Sequence, residues 1–192
     1  MDNTTKKRGR ALGKETVERL NRAAFLQNMV SEGVFKISEL PNIIGASYGA
    51  ISIWIGNDDF RLDYLLLLCD FFGLTFTVNF EKSSDDLIER TSLSYKGDKA
   101  RCEGYIREYS DNPSKALDAS AMIDINKEGR TIFCRKVFYL FDAFQNIDIQ
   151  KLLGCTYPRV KRLLPYSFTL SDIETACKSY GGKCSFDMTI NE

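Results

Sequence analysis

The feature that most restricts the fold of this chain is a diverged copy of part of itself. Ile37 to Phe80, ISELPNIIGASYGAISIWIGNDDFRLDYLLLLCDFFGLTFTVNF, returns near the C-terminus as IDIQKLLGCTYPRVKRLLPYSFTLSDIETACKSYGGKCSFDMTI, Ile147 to Ile190. Laying Gly45 on Gly154, an offset of 109, places Ile44 on Leu153, Tyr48 on Tyr157, Ile51 on Val160 and Ile55 on Leu164. One deletion then brings the offset to 108. From there Phe60 falls on Phe168, Leu62 on Leu170, Leu65 on Ile173, Cys69 on Cys177, Gly73 on Gly181, Val78 on Phe186 and Phe80 on Met188. A repeated supersecondary unit fixes much of an architecture before any single residue is interpreted. Here it predicts two similar small domains, each of fewer than a hundred of the 192 residues.

Bulk properties narrow the class. Lys plus Arg equals Asp plus Glu at 26 each, so no global field draws the chain to nucleic acid or to an anionic surface, and any such attraction must be local. The six cysteines, Cys69, Cys102, Cys134, Cys155, Cys177 and Cys184, contain no CxxC pair, and the chain has no histidine. That composition argues against a metal site, and no cofactor motif is present. Met1 to Arg10 is polar, with no apolar core of a signal peptide, and Leu65 to Cys69 is too short an apolar run to span a bilayer. A reducing cytoplasm is the expected compartment, with no membrane role.

Taken in order, residues 1–14, MDNTTKKRGRALGK, read as a flexible basic arm. It is either a solubilising tail or a segment whose Arg8 and Arg10 reach a DNA minor groove. From Lys14 apolar residues recur at spacings of three to four until Gly33, which predicts the first helix. Ser38 is placed to cap a short helix over Glu39 to Ile44. Gly45 supplies a tight turn, and a further helix runs from Ser47, its N-cap, to Ile55. A helix, a sharp turn and a second helix make a helix-turn-helix pattern. LDYLLLLCDFFG then gives an apolar helix ending at Gly73.

Thr75 to Phe80 alternates in strand fashion, as do Ser185 to Ile190 in the second copy. Each strand needs a partner, which is either the other strand or its counterpart in a second chain. The fold expected is therefore mainly α, with two tandem helix-turn-helix domains at 15–81 and 131–192, each followed by a short strand. Residues 82–130 read as a linker with one or two short elements.

The first copy resembles the Cro/CI (Xre) type of helix-turn-helix domain, whose members show a G-x-S-x-x-x-I-S-x-W segment and then an apolar helix ending L-G. Gly45, Ser47, Ile51, Ser52, Trp54, Leu65 and Gly73 fill those slots, over about Val17 to Leu74. The second copy is weaker, with Leu163 in place of Trp54 and Pro158 opening the recognition segment. The resemblance implies sequence-specific binding of double-stranded DNA by a helix in the major groove, usually from a two-fold dimer, and the appended strand is similar to the dimerising strand of small Cro-type repressors.

The two copies are unequally equipped for DNA. Ser47, Tyr48, Ser52 and Asn57 offer polar contacts in the first, but Ser47 to Phe60 holds no basic residue and ends beside Asp58 and Asp59. The second offers Thr156, Tyr157, Arg159, Lys161 and Arg162, with Lys151 nearby, and is the better reader. The expected function is a prokaryotic or mobile-element transcriptional regulator. The alternative is an antitoxin-like or phage-inhibitor module that turns the first helix-turn-helix, through Ile53, toward a protein partner. No enzymatic constellation is present, and the acidic pairs Asp58-Asp59 and Asp85-Asp86 have no partner set, so no catalytic residue is assigned.

Overall fold

The computed structural model describes residues 22–84, 87–118, 124–139, 168–179 and 181–191. The helices are α1 (Ala24–Ser31), α2 (Leu40–Ile44), α3 (Tyr48–Gly56), α4 (Leu62–Phe72), α5 (Glu103–Asp111), α6 (Lys127–Tyr139) and α7 (Leu170–Ser179). The strands are β1 (Leu74–Ser84), β2 (Leu87–Lys96) and β3 (Gly182–Ile190), and 3-10 turns occupy Ile37–Glu39 and Lys99–Cys102. The first turn displaces the expected Ser38 cap. Lys36 precedes it, and the Glu39 carboxylate reaches back to accept from the Lys36 N–H at 2.9 Å.

The expectation of a mainly α protein made of two tandem helix-turn-helix domains is corrected. Among the described residues the architecture is α+β, seven α-helices with one three-stranded antiparallel sheet in the order β2-β1-β3. Both repeats contribute to a single core that runs from Phe25 to Met188 and includes Leu65, Phe76, Val78, Phe133, Phe168 and Ile173. Residues 82–130, read as a linker, complete β1 and carry β2, the second 3-10 turn, α5 and the start of α6.

The physical reason is that one copy cannot bury its own strand. Phe76 and Val78 point one way from β1 and are fully buried, and they need cover from the other repeat. The cover comes from Phe133 on α6 and Phe186 on β3, whose rings meet Phe76 at 6.4 and 6.2 Å, and β3 pairs with β1 over Leu74↔Ile190 to Lys82↔Gly182. The hairpin strand β2 takes the other edge, over Thr75↔Lys96 to Ser84↔Leu87. On the exposed face of that hairpin, Thr77 and Ser94 hydroxyls meet at 2.9 Å, Ser92 donates to Asn79 at 2.6 Å and Arg90 meets Glu81 at 3.0 Å. Cross-strand pairs of this kind fix the register of a ribbon whose own apolar content is low.

The repeats are related by a local two-fold axis. Val78 pairs with Phe186, its own equivalent at offset 108, and the isolated bridge Arg61↔Thr169 also joins equivalents. In that bridge the Leu62 N–H donates to the Phe168 carbonyl at 2.7 Å, and the Leu170 N–H returns the bond to the Phe60 carbonyl at 3.0 Å. An antiparallel pair matches a residue with its own equivalent only where a two-fold axis passes through it. The correspondence extends into the helices. Phe25, Leu26 and Met29 on α1 are buried, and so are Phe133, Cys134 and Val137 on α6, each 108 residues on. Gly73 and Gly181 end α4 and α7 at φ +71° and +73°, a conformation glycine adopts without strain.

Charges cross the axis in the same sense. Arg22 meets Glu174 on α7 at 3.1 Å, and its equivalent Arg130 lies 3.7 Å from Asp70 on α4. Each repeat thus sends one arginine to the other repeat's helix. No described helix is long and apolar enough to cross a membrane.

Candidate nucleic-acid interface

The helix-turn-helix segment predicted in the first copy is present as α2, a turn and α3. Leu40, Ile43 and Ile44 bury one side of α2, and Gly45 closes it at φ +67°, its N–H donating to the Pro41 carbonyl. Ser47 is the N-cap of α3, its hydroxyl accepting from the Ala50 N–H at 3.2 Å. Ile51 is fully buried and anchors α3 from within. Trp54 lies edge-on to Phe60 with ring centroids 5.4 Å apart and stacks on Tyr64 at 5.2 Å. The Arg61 guanidinium covers the Tyr64 ring at 4.4 Å while it pairs with Asp63, so this charge is held against the body of the protein.

The outward face of α3 carries Tyr48, Ser52 and Ile53, with Ser47 and Asn57 at its ends. All five are exposed. Tyr48 at 59% and Ile53 at 61% are two of the large hydrophobic side chains left in solvent. The face is uncharged, and the Ser47 hydroxyl is already engaged as a cap. The Tyr48, Ser52 and Asn57 side chains face solvent. Thr156, Tyr157, Arg159, Lys161, Arg162, Lys151, Arg8 and Arg10 lie outside the described residues.

Asp58 and Asp59, which made this segment look hostile to a polyanion, have structural work instead. Asp58, at φ +56°, accepts from the Arg22 and Ala23 N–H groups at 2.5 and 2.8 Å, so its carboxylate caps the start of α1. Arg22 and Ala23 therefore form a turn before α1 rather than part of the expected helix. Asp59 accepts from the Ser171 N–H at 2.9 Å and from its hydroxyl at 2.7 Å, at the start of α7 in the other repeat. A carboxylate at a helix N-terminus satisfies free N–H donors and meets the positive end of the helix dipole. Because these caps come from residues distant in sequence, no local signal exposes them. Asp58→Ala is expected to cost about 1 kcal/mol, read as a lower urea midpoint with an unchanged slope.

A second cluster was not foreseen. Asp70 is fully buried on α4 and accepts from the Tyr95 hydroxyl at 2.9 Å, the Asp98 N–H at 2.9 Å and the Asn126 side-chain amide at 3.2 Å. Asn126 also donates to the Tyr95 oxygen at 2.7 Å, and Arg130 stands on the remaining side. Burial raises the Asp70 carboxyl above its ordinary value, while the hydrogen bonds and the Arg130 charge pull it down. A lone acid in the apolar run LLLLCDFF was the available hint, since a buried carboxylate must be paired. The cluster ties α4, β2 and α6 together. No protein-family model, curated protein or solved structure matches the chain.

Proposed function

We propose that the chain is a sequence-specific DNA-binding protein acting as a transcriptional regulator, with its two repeats arranged about an internal two-fold axis. The observation that carries this is the paired equivalence of Arg61 with Thr169 and Val78 with Phe186, in a chain that also presents α2, the Gly45 turn and α3 at the surface. Regulators of this kind meet two DNA half-sites with two-fold symmetry, and a duplicated chain supplies that symmetry within one polypeptide. The uncharged face of α3 supplies little attraction for phosphate. The basic residues Lys151, Arg159, Lys161 and Arg162, with Arg8 and Arg10 of the arm, are assigned the electrostatic contacts, and Thr156 and Tyr157 accompany them.

The test is a mobility-shift titration on fragments from the gene's own neighbourhood across a salt series. A salt-sensitive, sequence-selective shift is expected. The double variant R159A/R162A should bind at least tenfold more weakly and lower the slope of log affinity against log salt by about 2. Absence of any selective shift sinks the reading.

A second reading is favoured by one observation, the exposure of both Tyr48 and Ile53 on α3, a helix that carries no basic residue. It assigns that face to a protein partner. Retention of biological activity by R159A/R162A, with its loss in Ile53→Lys, would select this reading over the first.

A further inference from the structure

We propose that the outer edge of β3 is a self-association surface that takes a second copy of this chain in antiparallel register, Ser185 opposite Ser185. The hydrogen-bonding direction of each residue can be read from two bonds at the sheet's end. The Asn191 N–H donates to the Gly73 carbonyl at 3.0 Å, and the Gly97 N–H donates to the Leu74 carbonyl at 2.9 Å. Directions alternate along a strand, so odd-numbered β1 residues bond toward β3 and even-numbered ones toward β2. In β3, by the same alternation, Lys183, Ser185, Asp187 and Thr189 bond to β1. The N–H and C=O groups of Gly182, Cys184, Phe186 and Met188 then point to the outer edge, where no described strand pairs with them and the Met188 N–H is met by the Asp187 carboxylate of its own strand at 2.8 Å.

The internal two-fold axis shows what this edge lacks. The equivalent edge of β1 is covered by β2, while β3 is the last strand in the sheet order, with no described strand on its outer side. An open edge is a template for another strand, and proteins commonly blunt one with proline, a bulge or charges of one sign. GKCSFDMTI contains no proline, and it pairs with β1 without interruption.

Its charges instead suit a second copy of itself. Lys183 and Asp187 are both exposed and lie symmetrically about Ser185. Antiparallel pairing centred on Ser185 sets Lys183 opposite the second copy's Asp187 and Asp187 opposite its Lys183. These pairs fall at non-hydrogen-bonded positions, where side chains stand closest. The same register matches Cys184 with Phe186 and Gly182 with Met188, the Asp187 carboxylate leaving the Met188 N–H for the second copy's Lys183 as the Gly182 carbonyl takes its place. Centring on Phe186 also lets the backbones bond, but it sets Lys183 against Thr189 and Asp187 against Ser185 and wastes both charges. Exposed ion pairs contribute little affinity, so here they set the register, while the backbone bonds and the half-buried Phe186 hold the strands together. The product is a continuous six-stranded sheet, and the proposal stands apart from the DNA reading because its measurement is mass.

Sedimentation of the full chain over a wide concentration series should show a reversible monomer–dimer equilibrium. Lys183→Asp and Asp187→Lys should each weaken association at least tenfold, and the double exchange K183D/D187K should restore it. Ser185→Cys tests the register without a charge change. Mild oxidation with glutathione disulfide should give an interchain disulfide-linked dimer that the wild-type chain, with its native Cys184, does not form. A chain monomeric at every concentration overturns the proposal. So does a dimer insensitive to both single reversals, or a Ser185→Cys chain that dimerises without cross-linking.

Discussion

Asp70→Ala is expected to lower the stability of the folded chain by about 3–5 kcal/mol, the cost typical of removing one partner from a buried ion pair. The carboxylate is fully buried and accepts bonds from Tyr95, the Asp98 backbone and Asn126, with Arg130 at 3.7 Å. Truncation leaves the Tyr95 hydroxyl and the Asp98 N–H without their acceptor. It also takes the carboxylate away from an arginine only 5% exposed. Asp70→Asn keeps the shape and one acceptor oxygen but turns an amide toward the Asn126 and Arg130 donors, so a smaller loss is expected.

The pH dependence follows from the direction of the shift. Burial, the largest influence, raises the carboxyl above its unfolded value. The folded state therefore binds this proton more readily than the unfolded chain, and stability at this site falls as pH rises through the folded pKa. The difference between wild type and Asp70→Asn should accordingly widen as pH is lowered from neutrality into the carboxylate range. Urea midpoints at several pH values read both effects. A narrowing gap would mean that Asp70 is held by its partners more strongly than burial opposes it.

What was legible beforehand follows from the range over which each signal acts. Apolar spacing and end signals are local, so α3 with its Ser47 cap, α4 ending at Gly73 and the alternation of β1 and β3 could be read directly. The repeat also carried more than similarity. Its offset of 108 is the spacing at which Val78 meets Phe186 and Arg61 meets Thr169, so the alignment already held the register of the contact between copies. The strand β2 was hidden because Arg90, Ser92, Ser94 and Lys96 lie on an exposed face and, among its described side chains, Leu93 and Tyr95 alone turn inward. Without a buried face on its own, LIERTSLSYK has no pattern to announce a strand, and its pairing is set by β1. That omission made 82–130 look like a linker and the two copies look like separate domains. For the candidate interface, the exposed positions on α3 followed from helical spacing, whereas the capping by Asp58 and Asp59 depends on contacts with α1 and α7 that no local pattern encodes.

The other large effect is expected at Gly97, where Ala should cost about 3 kcal/mol or more, at or beyond the upper end for overpacking a close contact. Gly97 follows β2 and crosses the end of α4 so closely that a Cβ would lie 2.0 Å from the Cys69 carbonyl oxygen and 2.7 Å from the Asp70 nitrogen. Both obstacles are helix backbone, so no side-chain rotation can relieve the overlap. The chain must instead move β2 away from α4. That movement pulls on the Gly97 bond to the Leu74 carbonyl and on the neighbouring Asp98 bond to Asp70, so the loss includes hydrogen bonds as well as overlap. For a chain of this size, 3 kcal/mol corresponds to a fall in Tm of about 6–12 °C. Gly104→Ala on α5 is the matched control, because nothing lies within 4 Å of its added Cβ and alanine favours helix, so its Tm should hold or rise slightly. If both variants melt alongside the wild type, β2 does not cross α4 at this distance, and the anchoring of the Asp70 cluster through Asp98 has to be abandoned with it.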